Sequence, residues 1–287
     1  MAPIEAAPAP QRGPFGGREF QARVVSAVLL AAIVVSALVL GGWPFAVIWL
    51  AAAIVGAAEW IGMSRTAPRR LILAITAITV VGLAVCLRED APLALSLGLT
   101  ALGVVALCVA ARTIPARGRA LAGLFGAIVV GLVPTALRDD PGIGILGPAW
   151  MFAVVWSTDI VAYFTGRTFG GPKLMPRVSP KKTWSGALGG LAAGTAAGLG
   201  LVIVARDHGW SMLAATPLGV IALTSAVASV MSQGGDLVES ALKRRCGVKD
   251  SGRAIPGHGG VMDRLDGFFA VALLAGLYLI VRRLLAA

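Results

Sequence analysis

Nine apolar runs, each about long enough to cross a bilayer, set what this chain can fold into. They lie near 23–41, 43–62, 71–87, 92–111, 119–137, 145–164, 185–205, 211–232 and 268–285. About 20 helical residues span the roughly 30 Å hydrocarbon core, and lipid offers no partner to a backbone N–H or C=O. Each run must therefore satisfy its own hydrogen bonds as a helix. The expected fold is all-α, a polytopic integral membrane protein with nine transmembrane helices. Composition agrees, since 57% of the 287 residues are hydrophobic and only 14% are charged. Residues 1–22, rich in Pro, Gly and Ala, read as a disordered tail. The first run is long and lacks a cleavage site after it, so it reads as a retained helix and not a signal peptide.

Charge fixes the orientation. With the N-terminus cytoplasmic, 20 of the 25 basic residues fall in inner segments, six of them in 233–267 and five in 165–184. Arg88, Arg138, Arg206, Arg282 and Arg283 fall outside, matched in number by Glu89, Asp90, Asp139, Asp140 and Asp207. Basic residues concentrate on the cytoplasmic side of membrane proteins. The formal net charge of +11 is then a property of that face, suited to anionic headgroups and nucleotides. No basic stripe with interleaved aromatics points to nucleic acid. The expected organisation is a tail (1–22), N-terminal helices (23–144) and a C-terminal catalytic region (145–287) with cytoplasmic loops 165–184 and 233–267.

The longest polar interval, 233–267, holds five of the fourteen acidic residues. Asp236, Glu239, Ser240 and Lys243 are spaced to share one face of a helix. A basic step (Lys243, Arg244, Arg245), a Lys249-Asp250 pair and a glycine-rich turn around His258 follow. Asp263 and Asp266 close the interval with Arg264 between them. Carboxylates for a metal, cations for phosphates and glycines for close backbone approach are what Mg²⁺ and a polyphosphate require. A solvated loop is the blander account of such a charge run, and the repeated spacing with alternating sign weighs against it.

The second polar segment, 156–184, emerges on the same face, joined to the first by an out-and-back hairpin of helices. Asp159 lies inside the membrane edge, where an acid is costly and marks function. Glu59, beside Trp60 near the end of the second run, invites the same argument with less support. Lys173, Ser179, Lys181, Lys182 and Thr183 sit among Pro176 and Pro180, which stiffen the backbone. All five lysines of the chain (Lys173, Lys181, Lys182, Lys243, Lys249) lie in these two segments, against twenty arginines overall. A compact ammonium is thus concentrated where phosphates would be met. Cys86, Cys108 and Cys246 form no disulfide framework and no metal-ligand spacing.

Residues 240–266 resemble the signature of phosphatidate cytidylyltransferases (CDP-diglyceride synthases). Ser240, Lys243, Arg244, Lys249, Asp250, Gly252, Pro256, His258, Gly259, Gly260, Asp263, Arg264 and Asp266 all fall in place, with Leu242, Ile255 and Leu265 at apolar positions. The upstream segment is similar too, through Asp159, Tyr163, Gly166, Gly170, Lys173, Ser179, Pro180, Lys182, Thr183, Trp184 and Gly186. It departs at Ser185, where many members carry an acid or amide. The N-terminal half resembles the family only in hydropathy and helix number.

The resemblance implies that CTP and phosphatidic acid give CDP-diacylglycerol and pyrophosphate, in a homodimer at the inner membrane whose site faces the cytoplasm. It implies Mg²⁺ or Mn²⁺, with a further monovalent cation left open. Asp236, Asp263 and Asp266 are expected at the metal, with Glu239 and Asp250 as additional ligands. Lys243, Arg244, Lys249 and Arg264 are expected at phosphates, with Asp159, Lys173, Ser179, Lys182, Thr183 and Ser240 completing the substrate site. His258 is assigned either to pyrophosphate or to orienting an aspartate. The competing readings are a CTP-dependent polyprenol or phytol kinase, which would release CDP, and a transporter. Polarity confined to one face argues against transport.

Overall fold

The computed structural model describes residues 18–208, 216–252, 254–255 and 259–286. Among these, nine helices follow the nine apolar runs: α1 (Arg18–Leu40), α2 (Gly42–Met63), α3 (Arg69–Arg88), α4 (Leu93–Ala110), α5 (Ile114–Asp139), α6 (Leu146–Phe169), α7 (Trp184–Asp207), α8 (Leu218–Arg245) and α9 (Met262–Ala286). Seven of them, α2 to α5 and α7 to α9, are long and apolar enough to cross a membrane. In α1 the apolar part is Val28–Leu40. At 24 residues α6 has the length, roughly 36 Å at 1.5 Å per residue, but it carries Asp159, Arg167 and several hydroxyls. Residues 1–17 of the expected tail, and 211–215 of the eighth run, lie outside the described residues.

Two differences from the sequence reading bear on the site. α8 has 28 residues, roughly 42 Å, so the polar interval that starts at 233 is helical through Arg245. Between α6 and α7 the proline-stiffened segment forms an antiparallel hairpin, β1 (Lys173–Met175) with β2 (Ser179–Thr183). Lys173 pairs with Thr183 and Met175 with Ser179.

Because the connections alternate, the C-terminal ends of α2, α6 and α8 and the N-terminal ends of α7 and α9 share one end of the bundle with the hairpin. The opposite end is tied by ion pairs, Arg88 to Asp139 and Arg282 to Asp140, each at 2.7 Å. Arg138 there donates to the carbonyl of Leu38 at 2.9 Å, satisfying an orphan acceptor at the end of α1. In the core the near-parallel rings of Trp49 of α2, Phe268 of α9 and Phe152 of α6 form a triangle, with Trp49 4.6 Å from Phe268 and 6.0 Å from Phe152 and the two phenyl rings 5.7 Å apart. Offset stacking of this kind joins the N-terminal helices to the two that carry the polar end.

Candidate active site

α6, α7 and α8 meet closely because the sequence removes side chains along one seam. Gly186, Gly190, Gly194 and Gly198 recur every fourth residue on α7, and all four are buried. A Cβ on Gly190 would meet the carbonyl oxygen of Thr158 at 2.8 Å, and one on Gly186 that of Ala162 at 2.7 Å. Small residues at this spacing let helix backbones touch in a membrane. Hydroxyls then lock the seam: Thr158 and Ser229 are 2.8 Å apart and buried, and Trp150 Nε1 donates to Ser225 at 2.9 Å. Asp159, the next residue after Thr158, is thereby held at a fixed place against α8.

The first charge group lies at that seam's polar end. Lys182 of β2 pairs with Asp236 of α8 at 2.5 Å, and Ser240 donates to the other oxygen of Asp236 at 3.3 Å. Asp159 interacts electrostatically with Asp236, Lys182 and Arg264, and Asp266 with Asp236 and Asp159. Three carboxylates from three helices thus repel one another, with Lys182 and Arg264 as nearby cations. Asp266 accepts from the Gly267 N–H at 2.7 Å.

The second group is a closed knot. Lys243 bridges Glu239 (3.1 Å) and Asp263 (2.6 Å), with all three side chains largely buried. The other oxygen of Asp263 accepts from Ser251 N–H, Ser251 Oγ and Gly260 N–H, each at 2.9 Å. Glu59 of α2 completes it, accepting from Val261 N–H (3.0 Å), Met262 N–H (2.8 Å) and Ser251 Oγ (3.2 Å). An acid there stabilises the start of α9, whose first N–H groups have no partner within the helix. Gly252 and Gly260 make room for it, since a Cβ on either would collide with the Glu59 carboxylate.

The remaining expected residues fall as follows. Thr183 caps α7, its Oγ accepting from Gly186 N–H at 3.2 Å, and it is buried. Ser185 donates to the Gly170 carbonyl, tying the base of the hairpin. Lys173 is exposed and Ser179 half-buried on the hairpin. Arg244 donates to the Val248 carbonyl at 3.3 Å, and Lys249 and Asp250 are exposed in the turn after α8. His258 lies outside the described residues. Sequence reasoning missed Ser251 and gave Glu59 only a minor place. The signal for Glu59 was an acid within an apolar run; Ser251 carried none.

Among the described residues no three acidic, His or Cys side chains converge closely enough to hold a metal by themselves. That does not exclude Mg²⁺, which is usually held by one or two carboxylates with substrate phosphates and water. Asp236 and Asp266 fit such a donor set, being mutually repelling carboxylates beside a third, Asp159. Asp263 and Glu239 fit it less well, because Lys243 bridges them in a largely buried knot, whereas the pair of Asp236 with Lys182 stays open to water.

The model of the cytidylyltransferase family matches residues 21–281. A phosphatidate cytidylyltransferase of Brucella abortus is 40% identical over 262 residues, covering 90% of this chain and 92% of its own. One from Haemophilus influenzae is 44% identical over 131 residues, 46% of this chain and 44% of that protein. One from Staphylococcus saprophyticus is 38% identical over 157 residues, 55% of this chain and 58% of that protein.

Proposed function

The chain belongs to the cytidylyltransferase family, and we propose that it transfers the cytidylyl group of CTP to phosphatidic acid, releasing pyrophosphate and CDP-diacylglycerol. The observation that carries this reading is the charge group at the polar end. Asp159, Asp236 and Asp266 gather there with Lys182 and Arg264 at the mouth of a helix bundle. By the positive-inside argument that end faces the cytoplasm, so CTP arrives from solution and the lipid from the inner leaflet. A homodimer in the inner membrane is part of the same reading.

The lipid phosphate is already a nucleophile, so the site requires no strong general base. One of its oxygens attacks the α-phosphorus of CTP. The new P–O bond forms as the α–β anhydride bond breaks, and pyrophosphate leaves with the electron pair. What the chain must supply is alignment of two polyanions and relief of their repulsion. Lys182, held by Asp236 on a hairpin that also bears Lys173 and Lys181, meets phosphate oxygens, as does Arg264 on the first turn of α9. Asp236 and Asp266 would hold Mg²⁺ or Mn²⁺. When bound, that ion neutralises charge on the triphosphate. The Lys243–Asp263–Ser251 knot, capped by Glu59, holds Ser251 and Gly260 against the start of α9 and so fixes where Arg264 and Asp266 stand.

The test uses purified protein with phosphatidic acid, labelled CTP and Mg²⁺. CDP-lipid and pyrophosphate are expected to appear together, and EDTA to stop both. Release of CDP with phosphorylation of a prenol would instead establish a lipid kinase.

A further inference from the structure

A cavity of about 660 Å³ lies between α2, α5, α8 and α9. α9 packs against the other three helices. Of the residues lining it only Glu239 and Asp266 are ionisable, and both stand at the end nearest the charge group. The rest of the wall is apolar. On its rim Phe125, Val230 and Val238 are each more than half exposed (54%, 56% and 61%), so the cavity is a cleft open sideways to the lipid.

Its dimensions select an occupant. The lining of α9 runs from Met262 to Leu273, roughly 17 Å at 1.5 Å per residue, and that of α8 from Val230 to Leu242 is similar. Half of a hydrocarbon core of about 30 Å is one leaflet, so the cleft is about one leaflet deep. A transmembrane helix would run on through both leaflets, whereas an acyl chain ends within one, and its headgroup would lie where Glu239 and Asp266 line the cleft.

The glycines of the wall fall into two kinds. At Gly123 and Gly235 an added Cβ would meet Trp60 at 2.9 Å and the Asp266 carbonyl at 2.6 Å, so these serve close packing. At Gly56 nothing lies within 4 Å of an added Cβ, and at Gly126 only Phe269 does, at 4.0 Å. No protein atom needs the missing side chains at 56 and 126. Their absence leaves open volume in the cleft.

We infer that the cleft holds an acyl chain of the lipid substrate, with the headgroup phosphate at the Asp266 end, and that Gly56 and Gly126 set the bore that decides which chains are accepted. This rests on the proposed lipid-phosphate reaction. The lipid enters sideways from its own leaflet, and its phosphate is positioned by the depth to which its tail is seated.

The experiment compares dioleoyl with dihexanoyl phosphatidic acid in mixed micelles, measuring kcat/KM for each. In Gly56→Leu and Gly126→Leu the ratio of long-chain to short-chain kcat/KM falls at least tenfold from the wild-type value. Gly98→Leu, at an exposed glycine of α4 with open space around it, leaves the ratio unchanged. Should the leucine variants fail to fold, Gly56→Ala and Gly126→Ala shift the ratio in the same direction by a smaller factor. An equal loss on both lipids, no change in either, or a loss of self-association by the leucine variants each overturns the assignment. Failure of the wild-type protein to make CDP-lipid from either substrate would instead remove the proposed reaction.

Discussion

The carboxylate of Glu59 accepts the N–H of Met262 at 2.8 Å, so a residue near the end of α2 caps the start of α9 two hundred positions later. The same carboxylate holds Val261 and Ser251. Glu59 needs no contact with substrate to matter, because α9 carries Arg264 and Asp266. Replacing it by alanine strands two part-buried N–H donors, at up to about 1–3 kcal/mol each. Glu59→Ala is expected to lower thermal stability and to cut turnover more than tenfold. Glu89→Gln at the opposite end serves as control. A variant that melts and turns over like wild type would leave the cap without a role.

Asp263 and Asp266 are three residues apart on α9 and do different things. Asp263 is spent on Lys243, Ser251 and Gly260, whereas Asp266 faces Asp236 and Asp159. Asp266→Asn should abolish turnover in a protein that keeps its melting temperature, since it removes one of several repelling charges. Asp263→Asn should lose both activity and stability, because an amide nitrogen must then face N–H donors. Melting curves beside turnover separate the two. Equal behaviour of the two variants would refute this division of labour.

Lys243 is enclosed by Glu239 and Asp263. Truncating one partner of a buried ionic group leaves charge uncompensated, at roughly 3–5 kcal/mol. Lys243→Ala is expected to be the most destabilising single change at the polar end. Adding Glu239→Gln should recover part of that loss, a non-additivity that residues in one network show. Strict additivity in chemical denaturation would mean that the two are not coupled.

How far the sequence could be read follows from the range of each interaction. Apolar runs report helices because lipid forces every backbone group to pair within its own segment, and among the described residues each of the nine runs carries a helix. The spacing of Asp236, Ser240, Glu239 and Lys243 likewise survives, because α8 continues through them and joins Ser240 to Asp236 and Lys243 to Glu239. Beyond one helix the spacing carries less. It showed Asp263 and Asp266 as an equivalent pair, and only Ser251 and Gly260, brought against α9, give Asp263 its N–H donors. Thr183 stood among phosphate-binding candidates because a hydroxyl beside lysines suits phosphate, and its Oγ caps α7. Nothing near Ser251 in the chain announces Glu59, which reaches it from 192 residues away.

Lys182 gives the sharpest contrast with Lys243. Both are lysines paired with an aspartate at 2.5 to 2.6 Å, but the Lys182 and Asp236 side chains keep 26% and 31% exposure, and those of Lys243 and Asp263 only 12% and 9%. A water-accessible pair contributes about 0–1 kcal/mol to stability. Lys182→Ala is therefore expected to melt close to wild type. Its cost should fall on substrate, because the ammonium stays open to water beside the charge group proposed to meet phosphates. A rise in KM for CTP or for phosphatidic acid of about tenfold, near 1.4 kcal/mol, is the expected size for one charge-assisted contact. Lys182→Arg should recover part of it, since charge is restored with a different shape. Melting temperature and KM measured on the same preparations decide the matter: a large fall in stability with unchanged KM would make Lys182 a brace for the hairpin and not a phosphate ligand.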